Sequence, residues 1–401
     1  MTVRYITGRY LATFILIALA GQAHPAPAQI HRLVPHDARE NSYFGAAVAI
    51  DGSTAIVGAS GDSRCGENAG AAYIFERDEG GEWMSEARLE PDDCADGLFF
   101  GKSVAVSGDR AAVVSYVPGY AGAANNTIYL FERDAGTRTW AQTAQIRQPP
   151  GHSEGSFAAT ISLDGDRLLV TTAGDASRRS VGGAAYVYDY SDGSWRISAR
   201  LSGSLGPEAG VFGAASALDG DRAVVAASTY LEERPGSVYV FDRDPATGDW
   251  IESAILRGIM DFFISVDVHG DDIIVGESKA GGAGTGRARI VHREEDGRWR
   301  RSATLQPPSS YSRGGFGSAV AIHDNFAIVV GFDEQLRMDI NIDRVVYLFE
   351  RDAATSVWRR RQIIDVGDVA FGSAVDLDEG HAVIGQASEE GPGNAYVVLI
   401  H

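Results

Sequence analysis

Acidic residues beside glycine stand in several very short segments between apolar stretches, where their carboxylate oxygens could serve as calcium ligands. They occur as Asp51-Gly52, Gly108-Asp109, Asp164-Gly165-Asp166 and Asp219-Gly220-Asp221. Segments this short cannot wrap the about six to eight oxygens that calcium requires, whereas Asp and Gly are common in tight turns because they tolerate positive φ. We therefore expect hairpin turns at these positions and no bound metal.

The nine histidines are scattered along the chain, and they form no His-x-x-x-His pair that would bind a transition metal. His269 and His323 take the place that Asp51, Asp164 and Asp219 take elsewhere in the chain, so we expect them to face solvent in turns. We predict no metal, no cofactor and no catalytic residues. An enzyme with carboxylates paired across one face of the fold is kept as an alternative.

The composition of the chain narrows its class. Of 401 residues, 44% are hydrophobic, which is enough for a sizeable core, and 48 are glycine, which indicates many tight turns. The chain carries 35 basic and 54 acidic residues, a formal net charge of −19. A nucleic-acid binder draws its affinity from basic charge, so this class of partner is excluded.

The N-terminus has the layout of a secretory signal peptide. Arg4 and Arg9 precede an apolar run at 11–20, which is followed by small residues and prolines at 21–28. The run is shorter than the about 20 residues that span a bilayer. We predict that residues 1–28 are removed and that residues 29–401 are periplasmic, cell-surface or extracellular, without a membrane span.

A segment with the sequence FGAAVAIDG begins at Phe44 and recurs along the rest of the chain. The seven copies start at Phe44, Phe100, Phe157, Phe212, Phe262, Phe316 and Phe371. Their spacings lie between 50 and 57 residues. A fixed period of about 40 to 55 residues is typical of propeller blades.

Each unit has the pattern of four short antiparallel strands. In the first, strands are expected at 46–50, 55–59, 71–76 and 83–89, with turns at Asp51-Gly52 and Gly80-Gly81. The tryptophan that opens the fourth strand recurs at Trp83, Trp140, Trp195, Trp250, Trp299 and Trp358. The chain is therefore predicted to be all-β, a seven-bladed β-propeller of four-stranded antiparallel blades.

The seventh unit has no fourth strand, because the chain ends with residues 396–400, which match a third strand. Residues 30–35 near the N-terminus resemble the end of the fourth strand in other units, such as 87–91. We predict that residues 29–36 complete the last blade and close the ring, which removes an exposed strand edge.

These units resemble FG-GAP repeats, the unit of the integrin alpha-chain head and of many secreted bacterial proteins. The repeated Phe-Gly start, the segment Val57-Gly58-Ala59-Ser60 and strands ending in Tyr-Ile-Phe carry the resemblance, which covers residues 29–401. Units three and five depart from the Phe-Gly dipeptide at Ala158 and Phe263. The resemblance implies a propeller that binds other macromolecules.

Blade topology places two kinds of connection at one end of the ring: the loops between second and third strands, and the linkers between blades. Cys65 lies in such a loop and Cys94 in the linker that follows it. Since oxidation is permitted outside the cell, we expect a disulfide between them, with two free thiols as the alternative.

The long, irregular loops share this end of the ring, and variable loops are where binding residues concentrate. Tyr and Arg are common anchors of interfaces. The candidates are Tyr116, Tyr120, Arg178, Arg179, Tyr230, Tyr311, Phe332 and Arg337. The leading hypothesis is a secreted, non-enzymatic protein-interaction or adhesion module whose partner is an extracellular or cell-surface protein. A carbohydrate-binding or carbohydrate-active propeller with a polysaccharide ligand, and a structural surface protein, are the alternatives.

Overall fold

A computed structural model describes most of the chain after residue 28. The residues that it describes are 29–35, 37, 39–117, 126–149, 156–173, 182–206, 210–228, 236–259, 264–279, 285–307, 315–332, 344–366, 371–388 and 391–400. The regular structure within them consists of 28 β-strands. Within the same residues, no helix is long and apolar enough to cross a membrane.

The strands follow one another blade by blade along the chain. The N-terminal strand is β1 (Gln29–Leu33). Blade one contains β2 (Phe44–Asp51), β3 (Thr54–Ala59), β4 (Ala71–Arg77) and β5 (Trp83–Leu89). Blade two contains β6 (Ser103–Ser107), β7 (Arg110–Ser115), β8 (Thr127–Arg133) and β9 (Trp140–Arg147). Blade three contains β10 (Ser156–Asp164), β11 (Arg167–Ala173), β12 (Ala184–Ser191) and β13 (Ser194–Leu201).

The remaining blades repeat this order. Blade four contains β14 (Val211–Asp219), β15 (Arg222–Ser228), β16 (Gly236–Arg243) and β17 (Trp250–Ile259). Blade five contains β18 (Ile264–His269), β19 (Asp272–Glu277), β20 (Arg287–Arg293) and β21 (Trp299–Leu305). Blade six contains β22 (Val320–His323), β23 (Phe326–Phe332), β24 (Arg344–Arg351) and β25 (Trp358–Ile364). Blade seven contains β26 (Phe371–Asp378), β27 (His381–Gln386) and β28 (Asn394–Leu399).

Seven four-stranded antiparallel sheets result, so the predicted all-β, seven-bladed architecture is confirmed. In blade seven the outer strand is β1, which pairs with β28 in a register that places His31 opposite Val397. The first and the last strand of the described residues therefore share one sheet. The backbone of Phe44 also bridges to Gly393, which joins blade seven to blade one.

The core lies between neighbouring blades. Each second strand is buried on both faces, because its side chains alternate between two interfaces. In β3, Val57 packs with Val397 of blade seven, whereas Ile56 packs with Val113 of blade two. Seven such apolar clusters, one at each blade interface, complete the ring.

The Phe that begins the repeat is buried in this core in six of the blades, at Phe44, Phe100, Phe157, Phe212, Phe316 and Phe371. Phe44 is buried and meets Tyr73 edge to face, with ring centroids 5.6 Å apart. Phe100 and Tyr129 repeat the contact at 5.4 Å in blade two. Burial of a side chain of this size contributes about 2 kcal/mol, so the aromatic pair explains why the repeat begins with Phe.

The Gly of the same pair lies where two blades touch through their backbones. A Cβ on Gly101 would stand 2.2 Å from the carbonyl oxygen of Ala71, and Gly101 has a φ of +92°. Its own carbonyl oxygen would be 2.1 Å from a Cβ on Gly58 of the preceding blade. In unit three, Ala158 replaces this glycine and retains a positive φ of +51°.

The two ends of the ring differ in their connections. We call the end that carries the hairpins between first and second strands the turn face; these hairpins are centred on Gly52, Gly108, Gly165, Gly220, Gly270, Asp324 and Glu379. The opposite end, which carries the loops between second and third strands and the linkers between blades, is the loop face. The inner strands surround a central channel of about 400 Å³.

Candidate functional site

Side chains at the hairpins of the turn face link each blade to the next. Gly108 donates its N–H to Asp51, Gly220 donates to Asp164, and Gly270 donates to Asp219. Ser107 accepts from Gly165 in the same way, and Asp378 accepts from Gly52, which joins blade seven to blade one.

This ring revises the expectation that the hairpin aspartates serve only their own turns. The positive φ belongs to the glycine, +56° at Gly52 and +53° at Gly220, and not to Asp51 or Asp219. The aspartates end their strands in extended conformation, so their carboxylates reach across to the next hairpin.

The two histidines that replace the hairpin aspartates lie side by side. His269 and His323 belong to adjacent blades, and their ring centroids are 4.0 Å apart. His269 Nε2 lies 3.1 Å from Asp324 Oδ1, and His323 Nδ1 lies 3.0 Å from Asp378 Oδ1. The expected solvent-facing histidines are instead partly buried members of the contacts between blades.

Hydrogen bonds raise the pKa of His323 and lower that of Asp378. Burial favours the neutral imidazole, but the hydrogen bond to Asp378 and the negative charges of Asp378, Asp324 and Asp267 together outweigh it, so the pKa of His323 lies above its usual value. Burial would likewise raise the pKa of Asp378, yet the hydrogen bonds from His323 and from the Gly52 N–H hold it below its usual value.

Two carboxylates face the channel from the inner strands. Burial raises the pKa of Asp267 to about 6, against a hydrogen bond from the Ile322 N–H. Burial and the negative charge of Asp267 raise the pKa of Asp376 to about 7, against a hydrogen bond from the Ile50 N–H. The channel therefore contains two weakly acidic groups, each bonded to the next blade.

The loop face of blade one is covalently closed. Cys65 and Cys94 form a disulfide with their Cα atoms 6.3 Å apart, which joins the loop after β3 to the linker after β5. Beside it, Asp96 Oδ1 accepts the Glu67 N–H at 2.9 Å, and the Gly97 N–H donates to the Glu67 carbonyl at 2.8 Å.

An arginine network underlies this disulfide-closed loop. Arg88 is 7% exposed and pairs with Asp62, itself 1% exposed, at 2.8 Å and with Glu90 at 2.6 Å. It also donates to the Tyr73 hydroxyl at 2.6 Å. Burial would raise the pKa of Asp62, but hydrogen bonds from Arg88 and from the Arg64 backbone hold it below its usual value. These contacts tie the loop that contains Asp62 to β4 and β5 of the same blade.

Two of the predicted binding residues fall within the described residues. Tyr116 follows β7 on the loop face and is 38% exposed. Phe332 ends β23, where its ring packs against Gly315 and lies 5.5 Å from the Arg344 guanidinium carbon. The other predicted binding residues, which lie outside the described residues, are Tyr120, Arg178, Arg179, Tyr230, Tyr311 and Arg337.

The sequence did not lead us to expect three acidic residues near the axis, Asp267, Asp324 and Asp376. When the repeats are aligned, Asp267 and Asp376 stand at the position of Ala49 and Ala105 in other blades. This replacement of alanine by aspartate was the feature of the sequence that could have indicated them. Asp324 replaces the hairpin glycine of blade six.

Residues 151–155, GHSEG, have the Gly-x-Ser-x-Gly spacing of a nucleophile elbow, which the sequence analysis did not consider. An elbow requires a strand followed by a helix. Residues 151–155 lie outside the described residues, but the element that follows them is the strand β10, so the context is not that of an elbow.

Seven blades with close Phe-Gly and Val-Gly-Ala contacts between them define a β-propeller built from one repeated unit. Residues 27–75 and 83–131 of this seven-bladed propeller match the FG-GAP repeat family. No curated protein sequence matches the chain significantly. An FG-GAP propeller supports a protein-interaction kind of function, and the disulfide is consistent with an extracellular protein.

Proposed function

We propose that the chain is a secreted, non-enzymatic module that binds an extracellular or cell-surface protein through its loop face, as adhesive proteins do. The observation that carries this proposal is the ordered loop surface of blade one, closed by Cys65–Cys94 and held from below by Arg88. A surface ordered before binding loses less conformational entropy on binding than a mobile one.

The charge of this surface indicates the kind of partner. Glu67, Asp92 and Asp96 are exposed around the disulfide, and the whole chain has a net charge of −19. Complementary charge speeds association and selects between partners. We therefore propose a partner that presents basic groups to blade one.

The test is a pull-down with residues 29–401 as bait against fractionated cell-surface proteins and polysaccharides, with mass spectrometry of what is retained. The double variant Glu67→Lys/Asp92→Lys reverses charge on the loop face. Its matched control, Glu79→Lys/Glu295→Lys, makes the same charge change at exposed residues of the turns between third and fourth strands.

A protein retained by the wild type and the control, but lost with Glu67→Lys/Asp92→Lys, supports the proposal. Equal loss with both double variants would assign retention to overall charge. Retention of polysaccharide alone would replace the proposal with the carbohydrate-binding alternative.

A further inference from the structure

The turn face departs from its own pattern where blades five and six meet. At the hairpin centre, five blades have glycine, whereas blade six has Asp324 with a φ of +52° and blade seven has Glu379 with a φ of +41°. At the position before it, blades five and six have His269 and His323, where the other blades have Asp or Ser. Three of these exceptions, His269, His323 and Asp324, are neighbours in space.

Their side chains converge on one point at the mouth of the channel. One ligand atom from each of His269, His323 and Asp324 lies within 4.8 Å of the others, and no second such group of three occurs within the described residues. His269 Nε2 is 3.1 Å and His323 Nε2 is 3.9 Å from the two carboxylate oxygens of Asp324. An ion bonded to all three residues at about 2.0–2.2 Å would draw these atoms closer together than they are here.

A further carboxylate orients one of the histidines. His323 Nδ1–H donates to Asp378 Oδ1 at 3.0 Å, while Asp378 Oδ2 is held by the Gly52 N–H. With the proton on Nδ1, the lone pair of neutral imidazole is on Nε2, which is the nitrogen that faces Asp324. A carboxylate behind a histidine in this way is the usual support of a metal ligand.

The local charge also suits a cation. Asp267 faces the channel two residues before His269, and Asp378 lies on the other side of His323. The nearby cation Arg351 donates to the backbone oxygen of Asp324, but its other nitrogen pairs with Asp272 at 2.7 Å. The charge of this arginine is therefore already balanced.

We propose that His269, His323 and Asp324 bind one divalent transition-metal ion of the zinc class, with Asp378 as a positioning residue. Two imidazole nitrogens favour zinc-like ions over calcium or magnesium, which prefer oxygen. Asp324 is exposed, so solvent supplies the remaining coordination position. The ion joins blade five to blade six where other blades are joined by hydrogen bonds.

The test uses tag-free residues 29–401 depleted of metal by chelation and dialysis. Calorimetric titration with Zn²⁺ is expected to give one ion per chain, and Co²⁺ is expected to give the intense visible bands of a four-coordinate site. Zn²⁺ should also raise the melting temperature, because an ion that binds only the folded state stabilises it. Ca²⁺ at the same concentration should do neither.

His269→Asn and His323→Asn are the informative variants, since an amide can still bond to the neighbouring aspartate. Each is expected to weaken Zn²⁺ binding at least about 100-fold, by loss of a ligand from the site. His292→Asn is the matched control, because His292 pairs with Asp272 at 3.0 Å and has no second histidine beside it.

Melting curves without metal show whether each variant folds. A wild type that neither binds Zn²⁺ nor gives the Co²⁺ bands overturns the proposal, whether or not the variants fold. Unchanged Zn²⁺ affinity in folded His269→Asn and His323→Asn proteins overturns it as well, and assigns the cluster to hydrogen bonding between blades. Neither result depends on the binding of a partner at the loop face.

Discussion

The turn face of the ring and the Arg88 network on the loop face of blade one use their polar side chains in different ways. On the turn face, Asp51 and Gly108 are 57 residues apart and join two blades. On the loop face of blade one, Arg88 and Asp62 are 26 residues apart and belong to the same blade, as do Cys65 and Cys94.

This difference separates the contacts that join the blades from the loops that can vary between blades. Contacts between hairpins are repeated around the ring, so a change in one of them affects two blades. Contacts within the loop face of one blade leave the neighbouring blades untouched. The loops can therefore differ from blade to blade while the ring remains the same, which suits a surface that selects a partner.

The largest expected effect is loss of the disulfide. In the double variant Cys65→Ser/Cys94→Ser, the unfolded chain regains the freedom of a loop closed across 29 residues, which lowers the free energy of unfolding by about 3–4 kcal/mol. Denaturant unfolding measures the loss, and hydrogen exchange should show faster opening confined to blade one. Reductant should have no further effect on the variant. Equal opening on the turn face would break the distinction between the faces.

A smaller effect is expected from Asp164→Ala on the turn face. The substitution leaves the Gly220 N–H without its acceptor and costs about 1–2 kcal/mol. Hydrogen exchange should increase in both blade three and blade four. The control is Asp134→Ala, because Asp134 bonds only within its own exposed turn, to Gly136 and Thr137, and should affect blade two alone. A change limited to blade three would contradict the role of the ring.

The smallest expected effect is a pH dependence of stability that comes from Asp376, near the axis of the ring. The pKa of Asp376 is raised to about 7 by burial and by the negative charges of Asp267 and Asp378. The protonated carboxyl therefore stabilises the fold at pH 4, and this contribution is lost as the pH rises through 7.

Asp376→Asn retains one acceptor for the Ile50 N–H and does not titrate. The difference in melting temperature between the variant and the wild type should shift in favour of the variant between pH 4 and pH 8. Because the channel is open to solvent, which screens the carboxyl, we expect this shift to correspond to about 1 kcal/mol. A difference that is constant with pH would show that the raised pKa is not expressed in stability.

The blade pattern was predictable because every blade repeats it. The strand ends in the structure lie within a few residues of three kinds of sequence marker. These are Phe44 and its counterparts, the tryptophans at or near the start of the fourth strands, and the short hairpins. Asp51, Ser107 and Asp164 also stand in one column, but the sequence of one hairpin does not tell how far its side chain reaches into the next.

The cluster at the axis was harder to predict for a spatial reason. His269 and His323 are one full repeat apart in sequence. They become neighbours only because successive hairpins surround one channel. Local spacing such as His-x-x-x-His describes ligands on one helix and misses ligands shared by two blades. Loop residues such as Tyr116 follow no repeated pattern, so their exposure could not be derived from the other blades.

The pairing of β1 with β28 has a consequence for how the protein is made. Arg32 Nε donates to Asn394 Oδ1 across 362 residues of sequence, so β1 is synthesised long before the strand with which it pairs. Blades one to six are local and can form in order, whereas ring closure waits for the last blade. A chain whose last blade has not yet formed is an open arc, and the pairing of β1 with β28 closes it.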